Sequence, residues 1–326
     1  THRGVLQRRA PARSQVLPRR LRGRERVSRP STFERLSPWI FVALWSTGFV
    51  VARYSTDNAD PLLFLAVRMA LAATLLLALA TITKAPKMPR SLVAPSALVG
   101  LFMHAIYLGG VFVAISRGFP SGLGALIAGI HPVVTSVAGR VLLGEKLRRS
   151  QWLGVVLGVT GVVVVVVDKL RAGSADVTTF ALVAMVCSVV GMSTGTLIQR
   201  AKARTMPLVR GTAVQYLSSA IVLGIATAFF EDGRFVMNTE MALALAWSVL
   251  VLSLAAVLLM MLLISRHSAA RVSSLFFLTP ALSAIESAIL FSERLSALAV
   301  VALVVALVGV WLTMRTPTEP ASAVES

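Results

Sequence analysis

From about residue 38 to residue 314 the chain is a succession of apolar runs, separated by short polar or Pro/Gly breaks. Each run holds roughly twenty residues, enough for a helix to cross a ~30 Å hydrocarbon layer. In lipid every backbone polar group must be satisfied internally, so only helices and closed barrels span a membrane, and unbroken runs rather than alternation select the helix. Ten helices are predicted, near 37–54, 62–83, 92–114, 121–143, 150–167, 177–199, 208–230, 241–264, 271–291 and 296–314. The connectors are too short for a soluble domain, which makes successive helices antiparallel neighbours. Composition agrees: 56% of the 326 residues are hydrophobic and only 14% are charged, against about 25% charged in a soluble domain. Mean hydropathy is +0.80.

The net charge of +18 suggests nucleic acid until it is located. Residues 1–30 hold ten arginines and one glutamate, half of the whole excess. This segment has no apolar period and is expected to be disordered. Three readings are open: a cytoplasmic tail touching anionic lipid, an RNA-binding arm, or sequence upstream of a natural start at Val27. The third is the expectation, and no nucleic-acid partner is expected. Counting from a cytoplasmic N-terminus, internal segments hold 24 Lys and Arg against six in external ones. The positive-inside rule then places both termini in the cytoplasm of a multi-pass protein of the cytoplasmic (inner) membrane. The one cysteine, Cys187, offers no intramolecular disulfide or zinc cluster and is expected to be a small packing residue. No metal and no cofactor are expected.

Residues 131–147 read HPVVTSVAGRVLLGEKL and residues 279–295 read TPALSAIESAILFSERL. In both, a proline stands thirteen residues before a glutamate. Other pairs keep nearly the same offset. Ser46-Thr47-Gly48 returns as Ser193-Thr194-Gly195, Arg53 as Arg200, Ile115-Ser116-Arg117 as Ile264-Ser265-Arg266, and Gly161 as Gly309; Arg68 faces Gln215. The chain therefore reads as a tail (1–33), two five-helix units (34–168 and 177–314) and a short cytoplasmic C-terminal tail (315–326). Five is odd, so the second unit starts on the opposite side of the membrane. Glu145 is then inside and Glu293 outside. The expected fold class is an all-α integral membrane protein of ten transmembrane helices in two inverted repeats. Such a repeat gives one fold two related conformations around a site near mid-membrane, as alternating access requires. Gly154-xxx-Gly158 could seat two helices closely.

The stretches LWSTGFVVAR (44–53), PLLFLAVRMALA (61–72), LLGEKL (142–147) and LFSERL (290–295) make the chain resemble the ten-helix drug/metabolite transporter superfamily, in the branch built from two EamA domains. The resemblance covers about 34–314. It implies a secondary carrier, most often an exporter of amino acids, metabolites or toxic small molecules, with a cavity between the two domains. In one departure, Ser292 stands where the first copy has Gly144.

Ionisable groups in mid-span cost about 2.5 kcal/mol or more unless they are paired or wet, so the few present are candidate site residues. Arg68 is either half of a structural ion pair or a cavity cation for an anionic substrate. Arg140, near the end of the fourth helix, is expected to snorkel. His104 and Tyr107 are three apart and share a helix face. His131 precedes Pro132, which lacks an N–H and crowds the carbonyl four residues back, so backbone near Ile127–Ala128 is expected to be freed. Each histidine is either a hydrogen-bonded packing group or part of a shared polar cavity that binds substrate or carries a proton. Glu286, the one acid deep in a span, corresponds to Ala138 in the first copy. It pairs with a cation such as Arg68, walls a polar cavity, or carries a coupling proton. Ser46, Thr47, Ser193, Thr194 and Gln215 are secondary candidates, since hydroxyls commonly bond their own helix backbone.

The expected partners are therefore a small-molecule substrate, the lipid bilayer and a coupling proton; no feature demands a dimer. A passive facilitator or channel remains an alternative. An intramembrane serine hydrolase is a weaker one. Gly191-Met192-Ser193-Thr194-Gly195 fits G-x-S-x-G but lies inside an apolar run, without the strand–turn–helix that exposes such a serine. A serine–histidine dyad on His104 or His131 would be needed instead. All five aspartates (Asp57, Asp60, Asp168, Asp176 and Asp232) fall in loops, which argues against an aspartyl protease. The chain has no Walker A loop with which to use ATP.

Overall fold

The computed structural model describes residues 32–143, 147–171, 178–202, 205–266, 278–292 and 296–314. The basic N-terminal segment, the C-terminal tail, Glu145 and Glu293 lie outside the described residues. Among the described residues the chain folds as ten helical spans. They are α1 (Thr32–Thr56), α2 (Pro61–Ile82), α3 (Arg90–Gly100, Leu101–Ile106 and Tyr107–Ser116), α4 (Ser121–Ala128 and His131–Leu143) and α5 (Arg149–Arg171). The second half adds α6 (Thr179–Lys202), α7 (Leu208–Phe230), α8 (Thr239–Ala246, Trp247–Ala255 and Ala256–Arg266), α9 (Leu278–Phe291) and α10 (Ala297–Met314). Eight of these, counted over the described residues, are long and apolar enough to cross a membrane, and shorter apolar helices run through Leu278–Phe291 and Val300–Thr313.

Local sequence explains the breaks. Pro61 opens α2, where a missing N–H costs nothing. The Asn238 side chain caps α8 by accepting from the amide of Met241 at 2.8 Å. The middle stretches of α3 and α8 are π-helical, and they occupy corresponding places in the two halves. In α4 the crowding by Pro132 ends the first piece at Ala128, and His131 Nδ1 donates to the freed Ala128 carbonyl at 3.1 Å.

The packing pattern reveals the duplication. Adding five to each number turns the pair α3·α6 into α8·α1, α4·α6 into α9·α1 and α3·α7 into α8·α2. It leaves α2·α7, α4·α9 and α5·α10 unchanged, and every one of these pairs is in contact. That permutation is the action of a pseudo-two-fold axis.

The ends of α2 and α7 show its direction. Glu231, just past the end of α7, accepts the amides of Leu62 and Leu63 at the start of α2, at 2.7 and 2.9 Å. Arg210, at the start of α7, donates to the carbonyls of Ala85 and Ala80 at the far end of α2, at 3.1 and 3.4 Å. Equivalent helices thus run antiparallel, and the two repeats are inverted. The acid at the N-terminus of α2 and the cation at its C-terminus also complement the helix dipole.

A seam of small residues closes α5 against α10. Gly158 lies against Gly309, Gly154 against Thr313 and Gly161 against Ala306, each with backbone-to-backbone approach. The predicted small-residue spacing does seat a helix pair. Outward faces carry Val156, Val163, Ile221 and Ile225, as lipid-facing surfaces do. Cys187 departs from expectation. It is exposed on that outer surface of α6 rather than packed, because it shares a helix face with Val183, Val186 and Val190, also exposed.

Candidate functional site

Between the halves lies a cavity of about 120 Å³, lined by α1, α2, α3, α6, α7 and α8. Its polar groups are Arg68, His104, Tyr107 and Tyr216, set among Trp45, Phe49, Phe112 and three methionines. The π stretch of α3 brings Met103 and His104 to this wall, and the π stretch of α8 brings Leu252. Such stretches widen a helix by one residue and often accompany function.

Arg68 is only 7% exposed. Its Nε donates to Ser253 Oγ at 3.1 Å, and Ser253 Oγ donates in turn to the carbonyl of Ser248, five residues back, at 2.9 Å. The Tyr216 hydroxyl donates to the Ser253 carbonyl at 3.4 Å. Both Tyr107 and Tyr216 lie within electrostatic reach of the guanidinium. His104 Nε2 donates to Gln215 Oε1 at 3.3 Å, while Gln215 Nε2 donates to Gln199 Oε1 at 3.1 Å. The His104 ring also stands edge-on to Tyr216, with centroids 4.8 Å apart.

The structure thus gathers Arg68, His104, Tyr107 and Gln215 at one place and leaves the other candidates outside it. His131 is held at the α4 break, and its carbonyl accepts from Ser193 Oγ at 3.1 Å. Glu286 lies at the α1·α9 contact, where Ser46 Oγ is 2.6 Å from its Oε1. Thr47 Oγ1 donates to the Leu44 carbonyl at 2.7 Å and accepts Trp247 Nε1 at 2.9 Å. Thr194 is half-buried on α6. Among the described residues the His104 imidazole bonds Gln215 and the His131 imidazole its own helix backbone, rather than a serine hydroxyl. Ser253 and Tyr216 were missed. The mid-span hydroxyl in WSVLVLSLA, five residues after Ser248, was the available signal.

Larger spaces lie elsewhere among the described residues. A groove of about 640 Å³ separates α1 from α8 and is almost wholly apolar. A vestibule of about 500 Å³, lined by Asp60, Arg117, Glu231 and Arg234, sits at the end bearing the 57–60 connector. There Ala59 and Phe235 form an antiparallel bridge, and the Arg234 amide donates to Asp60 Oδ2 at 2.7 Å. Of these three spaces the central cavity combines mid-span depth with convergent polar groups, so it is the candidate site.

A ten-helix membrane protein built of inverted repeats around such a cavity has the architecture of a transporter. The EamA-like transporter family matches residues 39–167 and again 179–315. The chain belongs to that family and is a membrane transporter. It is 26% identical to the "uncharacterized inner membrane transporter YedA" of Escherichia coli (strain K12), over 78% of this chain and 81% of that one. It is 25% identical to a "probable amino-acid metabolite efflux pump" of the same organism, over 84% and 92% of the two chains. A solved crystal structure shares the fold at 20% identity, with a TM-score of 0.60 over 85% of this chain and 96% of the other.

Proposed function

We propose that this protein is a secondary transporter that exports amino acids or similarly small metabolites by alternating access, its repeats (34–168 and 177–314) rocking about the central cavity with both termini in the cytoplasm. The efflux pump among its relatives supports the substrate class. One asymmetry carries the mechanism. Gly48 and Gly195 are the same residue of the duplicated Ser-Thr-Gly motif. A β-carbon at Gly195 would overlap Met103 of α3, whereas one at Gly48 would meet nothing within 4 Å. The counterpart of Met103 at the 147-residue offset is Leu250, which stands 55% exposed in the groove between α1 and α8. Equivalent contacts between the repeats, α3·α6 and α8·α1, are therefore tightly packed at Gly195 and loosely packed at Gly48. Alternating access exchanges these two states.

In the opposite conformation Leu250 packs onto Gly48 as Met103 packs onto Gly195 here. A Gly48→Cys/Leu250→Cys pair, in a Cys187→Ser background, should cross-link in proteoliposomes and arrest transport when it does. Cysteines that never join while substrate is moving would sink the mechanism. Trans-acceleration in counterflow separates this carrier from a passive channel: the carrier shows it and a pore does not.

A further inference from the structure

Arg68 is a buried guanidinium with four of its five N–H donors uncommitted. Only Nε is engaged, by Ser253. Among the described residues the ion pairs are at the periphery, Arg53 with Asp57 and Arg234 with Asp60, and the mid-span acid Glu286 is committed to Ser46. Among the described residues the buried side-chain atoms left without a partner are Thr279 Oγ1 and Glu286 Oε2. The terminal nitrogens of Arg68 and the hydroxyl of Tyr107 are not among them, so they open onto the cavity rather than being sealed in protein. A buried charge without a counter-charge is strongly destabilising, and a cation kept in this way is matched to a ligand that brings the negative charge. Guanidinium favours planar, bidentate partners, of which carboxylate is the smallest.

The rest of the wall restricts the ligand further. Trp45, Phe49 and Phe112 present apolar surface, and no Asp or Glu lines the cavity. Its volume of about 120 Å³ is well under the ~300 Å³ at which drug-sized pockets begin. We propose that Arg68 and Tyr107 receive the carboxylate of a small solute with an apolar body, of amino-acid size, and that Ser253 holds the guanidinium in the receiving orientation. This assignment rests on the transporter reading and names the part of the substrate that is recognised.

The test uses four probes that share one branched aliphatic body: L-leucine, isovalerate, L-leucinamide and isopentylamine. Binding to the purified protein is followed by calorimetry and by quenching of tryptophan fluorescence, since Trp45 lines the cavity. Leucine and isovalerate should bind, and the amide and the amine should bind about tenfold or more weakly. Arg68→Gln should abolish that preference and Arg68→Lys should restore part of it. Tyr107→Phe, which keeps the ring, should weaken the two carboxylates about three- to tenfold and leave the amide unchanged, so the assignment is tested even if an Arg68 variant fails to fold. Equal binding of amide and acid, preference for the amine, or no binding of any probe overturns the proposal. Arg68-dependent carboxylate binding without counterflow of the same compounds would overturn the transporter reading and leave the recognition site standing.

Discussion

Glu231 Oε1 accepts the backbone N–H of Leu62 at 2.7 Å, and in doing so ties the end of α7 to the start of α2. Its other oxygen takes Leu63 N at 2.9 Å and the Thr227 hydroxyl at 3.2 Å. Charge-assisted bonds of this kind contribute about 1.5–3 kcal/mol, and the dipole of α2 adds to them. Glu231→Ala should lower stability by about that amount in thermal unfolding in detergent. Glu231→Gln should fall between the two, because an amide can accept from one of the two N–H groups only by turning its own NH₂ toward the other. An alanine variant as stable as the wild type would mean that the Glu231 bonds contribute nothing to joining the two helices.

The α5·α10 seam makes a sharper steric prediction. A β-carbon at Gly309 would overlap the backbone of Gly158, whereas one at Gly224 would meet nothing within 4 Å. Gly309→Ala should therefore cost about 1–3 kcal/mol through forced separation of the helices. Gly224→Ala should hold or raise stability, since alanine is the better helix former by up to about 1 kcal/mol. Melting curves of the two variants, recorded side by side, separate crowding from a general intolerance of change.

Ser292 has φ of +54°, in the left-handed region. The corresponding residue of the first repeat is Gly144, which could take this geometry without strain. A side chain held there costs about 1–2 kcal/mol, partly offset by the greater freedom glycine loses on folding. Ser292→Gly should thus stabilise the protein by about 0.5–1 kcal/mol, and Ser292→Val should do the reverse. The same sign for both substitutions would show that side-chain contacts, not backbone strain, govern this turn.

The spans were legible in the sequence because hydrocarbon thickness sets their length: the first was expected at 37–54 and is found within Thr32–Thr56. The repeat was legible as well, through the Ser-Thr-Gly and Pro–Glu spacings. Rotation of each helix about its axis was not. In a membrane both the packed and the lipid-facing sides of a helix are apolar, so the pattern that orients a soluble helix is weak. Cys187 was misplaced for that reason. His104 and Tyr107 were paired correctly by their spacing. His131 was not separable from them by depth alone, because its choice of the Ala128 carbonyl follows from the backbone break. Ser253 was hidden because its role depends on a π turn, which the five-residue spacing from Ser248 permits but does not specify.

Glu286 and Ser46 allow a last prediction about coupling. Ser46 Oγ lies 2.9 Å from the Ala43 carbonyl and 2.6 Å from Glu286 Oε1. One hydroxyl hydrogen can serve one of these contacts well, so satisfying both needs a second hydrogen, and only the carboxyl can supply it. When it does, the Glu286 O–H donates to Ser46 Oγ and Ser46 donates to Ala43. When it does not, Ser46 must turn to the carboxylate and leave its own helix. Proton binding is thereby linked to the α1·α9 contact, one of the pairs that the pseudo-two-fold axis exchanges with α4·α6. In Glu286→Gln the amide NH₂ can donate permanently, mimicking the protonated state. Substrate flux in that variant should persist at a fixed level while its dependence on pH disappears, and Ser46→Ala should displace the pH profile without abolishing it. The measurement is initial uptake into proteoliposomes across a series of imposed pH gradients. A glutamine variant that follows the wild-type profile would remove this carboxyl from the coupling step.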